Sequence, residues 1–390
     1  MKQEKDFEPI SSMKGKRLPV GQNPVASQPY VPGSSFLNER DLPLSPMFID
    51  FLAQWLDNRQ FSNELWFDQR SEALSKQHLV MRRRAQSRLQ RLVSDTRAQV
   101  AIGDVYRWFR KLATAHLDEL REFQLSYKFL AIVGAPRSGG SYLTGELFSA
   151  LGYEPNAVPA CIAHDGFPEV QPHAFNSANN AWITTLLSVS EYLTMLNTYF
   201  PRDRAEPTIV PKKLTKGIYA GSFFNALFGK DAEYLITIRN PVSCCISTYE
   251  KSGGLPAGGR FRTRSTMEHW IARDLLATGS KKDEIDSSDY FTVYARYWEQ
   301  YYITLAMSGL TANTKQAIVP FGDELMEEAA SDLHTRFSSK RRVSNFEANK
   351  DSHMRHPEWK ERCQKAMERV DAAWQVVGWT FPWAELNRGM

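Results

Sequence analysis

Two groups of residues have the types and spacing to hold a phosphate or a sulfate. The first, Gly134-Ala-Pro-Arg-Ser-Gly-Gly-Ser141, is a glycine- and serine-rich turn with one cation, Arg137. Backbone N–H groups of such a turn, lying at the positive end of a helix, hold an anion. The second is Arg239-Asn-Pro-Val-Ser-Cys-Cys-Ile-Ser247. Arg239 offers a planar fork to a phosphate and Ser247 adds a hydroxyl donor.

The elements that position these groups are legible beside them. Phe129-Leu-Ala-Ile-Val133 and Tyr234-Leu-Ile-Thr-Ile238 are short apolar, partly β-branched runs that predict strands buried on both faces. Tyr142 to Phe148 continues in helical register. After the second strand Asn240 caps a helix, Pro241 takes its first position, and Gly253-Gly254 end it, so Ser247 falls about two turns in. Each group therefore stands at a strand-to-helix junction. A nucleoside-triphosphate loop would read G-x-x-x-x-G-K-[ST]; this one matches at Gly134, Gly139 and Ser141 but has Gly140 at the lysine position. No side chain within the loop replaces that lysine.

With both motifs in this order, the sequence resembles the sulfotransferases that use 3′-phosphoadenosine 5′-phosphosulfate (PAPS). Pro136 to Tyr142 is similar to the family's 5′-phosphosulfate loop, and Arg239-Asn-Pro followed by Ser247 to its 3′-phosphate motif. The resemblance implies a three-layer α/β fold of the P-loop type with a central, mainly parallel sheet. It also implies sulfuryl transfer from PAPS to a hydroxyl acceptor by in-line displacement, without a metal. The donor would be bound by Arg137, Ser138, Gly139, Gly140, Ser141, Tyr142, Arg239 and Ser247, with Tyr142 against the adenine. Thr208 to Lys213 is similar to the family's second strand, which often ends in a catalytic lysine. Lys212 and Lys213 are the candidates, and neighbours on a strand point to opposite faces. His164 and Glu169 lie where several members place the base that activates the acceptor, with Asp165 and His173 as competitors. Lys340-Arg341-Arg342 stands where members carry a basic segment over the 3′-phosphate, without the glycine and tryptophan pattern common there.

Composition sets the outer limits. The chain has 390 residues, a net charge of +4 and four cysteines, Cys161, Cys244, Cys245 and Cys363. That charge suits an anionic ligand but lacks the clustered excess of a nucleic-acid binder. The cysteines have no C-x-x-C spacing, so neither a disulfide framework nor a zinc site is expected, and a reducing, cytoplasmic setting fits. His353-x-x-His356 lacks a third ligand and runs into Pro357. No apolar run approaches the ~18 residues that span a bilayer.

In chain order, residues 1–36 have the composition of a disordered tail and 37–126 that of a helical extension, ahead of a sulfotransferase-like α/β domain over 127–390. A capped helix starts at Ser45-Pro46. Arg82, Arg83, Arg84, Arg88, Arg91 and Arg97 form a basic helix face, to be read as solvated or as a partner surface. A further helix is expected near Asp104 to Glu122. Gly253 to Arg264 reads as a lid or a surface connection. Tyr290, Phe291, Tyr294, Tyr297, Trp298, Tyr301 and Tyr302 predict a helix packed in the core. Two rival functions remain: a P-loop nucleotide kinase or NTPase, and a noncatalytic anion-binding scaffold using the arginine-rich helices.

Overall fold

The computed structural model describes residues 44–57, 87–88, 91–115, 118–153, 158–163, 168, 181–200, 206–310, 315–341, 343–347 and 355–387. The expected tail, Arg82 to Arg84, His164, Asp165, Glu169, His173, Arg342 and His353 lie outside them. Among the described residues four strands form one all-parallel sheet in the order β2-β1-β3-β4: β1 is Tyr127–Gly134, β2 Thr208–Lys213, β3 Glu233–Ile238 and β4 Gln316–Pro320. Helices supply most of the rest, as parallel connections require.

The first elements among the described residues are α1 (Pro46–Leu56), whose cap Ser45 accepts from the Phe48 N–H, α2 (Thr96–Ala113) and α3 (Asp118–Ser126). The single helix expected near 104–122 is thus two, parted where Ala115 adopts φ 56°. After β1 come α4 (Gly140–Ala150), the short α5 (Ala160–Ala163) and α6 (Ala181–Tyr199). Between β2 and β3 lies α7 (Gly221–Phe228). After β3 follow α8 (Pro241–Lys251), α9 (Thr266–Ala277), α10 (Lys282–Ser287) and α11 (Tyr290–Met307). After β4 follow α12 (Asp323–Arg336), α13 (Lys360–Val376) and α14 (Trp383–Asn387).

Side chains of β1 alternate between two apolar clusters, as the strand period demands. Phe129, Ala131 and Val133 join α8, α11 and α13 in the larger one; Leu130 and Ile132 meet Leu143 and Leu147 of α4 and Met326 of α12 in the smaller. Helices α1 and α2 pack against α6 and share the larger cluster. The aromatic run of α11 is buried as expected. All four cysteines are free and buried. Among the described residues no helix is long and apolar enough to cross a membrane.

One buried acid sets a pH dependence. Glu191 on α6 is fully buried and accepts from the N–H and the hydroxyl of Ser45, both at 2.6 Å. Burial outweighs those bonds and pushes its pKa from the usual 4.5 up to about 8. In that interval the unfolded chain has already released the proton that the folded chain keeps, so stability falls as pH rises from about 4.5 towards 8. Glu191→Gln is expected to flatten that decline and to add about 2–4 kcal/mol at pH 8, measured by denaturant titration at pH 5 and pH 8.

Candidate functional site

The strand order brings the two sequence groups together. Consecutive strands lie on opposite sides of β1, so the connection after β1 runs to one face of the sheet and that after β3 to the other. Helix α4 packs in the smaller cluster and α8 in the larger. A crevice opens between two such strand ends, the usual ligand position in open α/β sheets. Here it is a cleft of about 330 Å³ lined by Arg137, Gly139, Gly140, Ser141, Tyr142, Lys213, Arg239 and Ser247, among others.

The loop after β1 turns tightly against β3. A Cβ on Gly134 would stand 2.0 Å from the Thr237 hydroxyl and 2.6 Å from the Thr237 carbonyl oxygen, so only glycine fits. Ser138 donates to the Ala135 carbonyl at 2.7 Å and lies 2.8 Å from the Thr237 hydroxyl. Its side chain is therefore spent inside the loop, and its N–H also donates to the Ala135 carbonyl, at 3.2 Å. Arg137 adopts φ 72°, a left-handed conformation uncommon outside glycine. Its Nε donates to the Ser247 hydroxyl at 2.9 Å, and Arg239 Nη1 donates to its carbonyl at 3.3 Å. The two groups, about a hundred residues apart in sequence, are thus one hydrogen-bonded unit.

Arg239 is 7% exposed, and its guanidinium carbon stands 3.9 Å from the centre of the Phe321 ring. Burial lowers its pKa, and among the described residues no carboxylate forms an ion pair with it. A cation so far removed from water calls for an anionic partner. Asn240 caps α8 as predicted, accepting from Val242 and Ser243, which sets Ser243 and Ser247 facing the cleft. Cys244 touches the same backbone, but burial pushes its thiol up to about 11 and keeps it inert.

The lysine pair divides as strand alternation requires. Lys212 is fully buried on the face of Ala131, donating to the Ile162 carbonyl at 3.0 Å with its ammonium 4.9 Å from the Tyr192 ring centre. It is not among the residues that line the cleft. Lys213, beside Ile132, donates to the Ser141 hydroxyl at 2.9 Å. An ammonium absent from the loop's own sequence is thus supplied by the neighbouring strand.

The loop stands on α11. Tyr302 accepts from the Ala135 N–H at 3.3 Å and donates to the Thr237 carbonyl at 2.8 Å; Trp298 Nε1 donates to the Arg239 carbonyl at 3.0 Å; Tyr294 donates to the Pro136 carbonyl at 3.3 Å. Their spacing of four puts all three on one helix face, so a stripe read as core also props both motifs.

At one end of the cleft Tyr142 lies 4.6 Å from Phe346, which lies 5.1 Å from Phe321. At the other, Trp270 and Met267 of α9 form a wall, with the Lys216 ammonium 3.6 Å from the Trp270 ring centre. Glu250 and Glu347 are lining carboxylates. Sequence reasoning missed Phe321, Phe346 and Trp270, which belong to no local motif.

Lys340 and Arg341 are exposed and do not line the cleft, and Arg341 Nη1 donates to the Tyr153 carbonyl at 3.2 Å; Phe346 and Glu347, just after them, do line it. Arg88 pairs with Asp50, Arg91 with Asp57 and Arg97 with Asp95, so these three arginines of the basic face are engaged within the helical region. His356 bonds Tyr249 and Glu358. Among the described residues no group of three or more His, Cys, Asp or Glu could hold a metal ion. Comparison with protein-family models, with curated proteins and with solved structures finds no match to this chain.

Proposed function

We propose that the chain is a sulfotransferase that takes PAPS as donor and a hydroxyl compound, whether small molecule, lipid or carbohydrate, as acceptor, on a P-loop-type α/β fold. The observation that carries the reading is Arg239: a buried guanidinium in ion-pair contact with no carboxylate among the described residues, hydrogen-bonded to the loop residue Arg137 in one cleft. A ligand with two separate anionic groups suits that pair. When bound, PAPS supplies an activated sulfuryl group whose transfer leaves negative charge on the bridging oxygen of the 5′-phosphate.

The residues divide the work by position. Backbone N–H groups from Gly139 to Ser141 at the start of α4, together with Arg137 and Lys213, form a preorganised field for that charge. Arg239 and Ser247 favour a 3′-phosphate, and the rings of Tyr142, Phe321 and Phe346 a purine. The base that takes the acceptor proton is assigned to His164 or Glu169, outside the described residues. A nucleoside-triphosphate reading has one observation in its favour, the Lys213 ammonium at Ser141, where it would act as a loop lysine.

Thermal unfolding tests the 3′-phosphate claim directly. Adenosine 3′,5′-bisphosphate at a hundred times its Kd is expected to add about 2.7 kcal/mol, while adenosine 5′-phosphate at the same concentration adds far less. Equal shifts for the two would remove the role given to Arg239 and Ser247.

A further inference from the structure

Residues 343–347, of which Phe346 and Glu347 line the cleft, have no strand partner among the described residues. Backbone outside regular structure needs other partners for its polar groups, and here side chains from two helices provide them. The Ser344 carbonyl accepts from the Tyr142 hydroxyl at 2.9 Å, the Ser344 N–H donates to Glu146 Oε1 at 3.3 Å, and the Ser344 hydroxyl donates to the same oxygen. The Phe346 N–H donates to Glu327 Oε1 at 3.0 Å. The other oxygen of Glu146 lies 3.0 Å from His334 Nε2, and both residues are buried, at 6% and 5% exposure.

Glu146 therefore joins three elements. It sits on α4, the helix that starts in the anion loop; it meets His334 on α12, the helix that follows Phe321; and it holds the segment that carries Phe346. Phe346 in turn touches both Tyr142 and Phe321, and Phe321 underlies Arg239. The structure assigns Glu146 as a positioning residue: with His334 behind it, it fixes residues 343–347 so that Phe346 closes the cleft over the base of the bound nucleotide. This rests on the donor reading above for the identity of the ligand, but the clamp itself does not. Glu146 touches no reacting atom. Its carboxylate acts through backbone, which is why a change there acts on affinity and not on the chemical step.

The test combines amide hydrogen exchange of the free protein with titration of adenosine 3′,5′-bisphosphate. In Glu146→Ala the Ser344 and Phe346 amides are expected to exchange about tenfold faster or more, the amides of Phe129 to Val133 to stay as in the wild type, and the bisphosphate Kd to rise about tenfold. Glu146→Gln keeps an acceptor for Ser344 and is expected to restore most of both. Should Glu146→Ala not fold, Glu327→Ala removes the Phe346 contact alone and is expected to act in the same direction. Unchanged exchange at Ser344 and Phe346 in Glu146→Ala, or at Phe346 in Glu327→Ala, overturns the assignment. Failure of the wild type to bind the bisphosphate would defeat the donor reading instead, while the exchange result still decides the clamp.

Discussion

Arg137→Ala is expected to lower the turnover of sulfuryl transfer by about 10²–10³-fold, the scale for removing one preorganised donor from a developing negative charge. Kd for adenosine 3′,5′-bisphosphate should rise by less than about tenfold, because the loop N–H groups and Arg239 remain. The geometry behind this split is specific. Arg137 has φ 72°, is held by its carbonyl to Arg239, and has its Nε on Ser247, so its guanidinium is fixed before any ligand arrives. A fixed charge does not reorganise when charge develops. Steady-state kinetics beside calorimetry would separate the terms, and equal losses in both would make Arg137 a binding residue only.

Arg239→Ala carries the second large effect, in the opposite sense. Donor binding is expected to weaken by about 1.5–3 kcal/mol, the worth of a charge-assisted hydrogen bond, or roughly 10–150-fold in Kd, with turnover at saturating donor nearly kept. Arg239 stands where β3 ends, against Phe321 and nearly dry. Its charge is therefore poorly screened and strongly felt by a phosphate beside it. The substitution also removes the guanidinium donor from the Arg137 carbonyl, so Arg239→Lys, which keeps the charge but loses the fork, should fall between the wild type and Arg239→Ala.

Much of this arrangement is legible in short stretches because local chemistry decides it. Asn240 and Pro241 start α8, Ser45 and Pro46 start α1, and the alternation of Lys212 and Lys213 follows from strand geometry alone. The two anion groups could be placed at strand ends without the fold. What stayed hidden depends on contacts across the chain. Residues 343–347 show no period, and their course is set by Tyr142, Glu146 and Glu327, side chains from helices that sequence distance does not connect to them. The neighbouring Lys340 and Arg341 looked better suited to a phosphate by charge, yet they face solvent. Gly140 pointed to a loop without a lysine because the replacement comes from β2. The aromatic stripe of α11 predicted burial, but the hydroxyls and indole N–H that prop the loop become visible only once the strands stand above it.

The most direct measurement is calorimetric titration of the full chain with adenosine 3′,5′-bisphosphate in the absence of metal, beside ATP with Mg²⁺, on the wild type and on Arg239→Ala. Tight binding of the bisphosphate that weakens by at least about tenfold in the variant, with little or no binding of ATP, is the predicted result. Binding of ATP with Mg²⁺ alone, or bisphosphate binding indifferent to Arg239, would contradict it and move the function to phosphoryl chemistry at the same cleft.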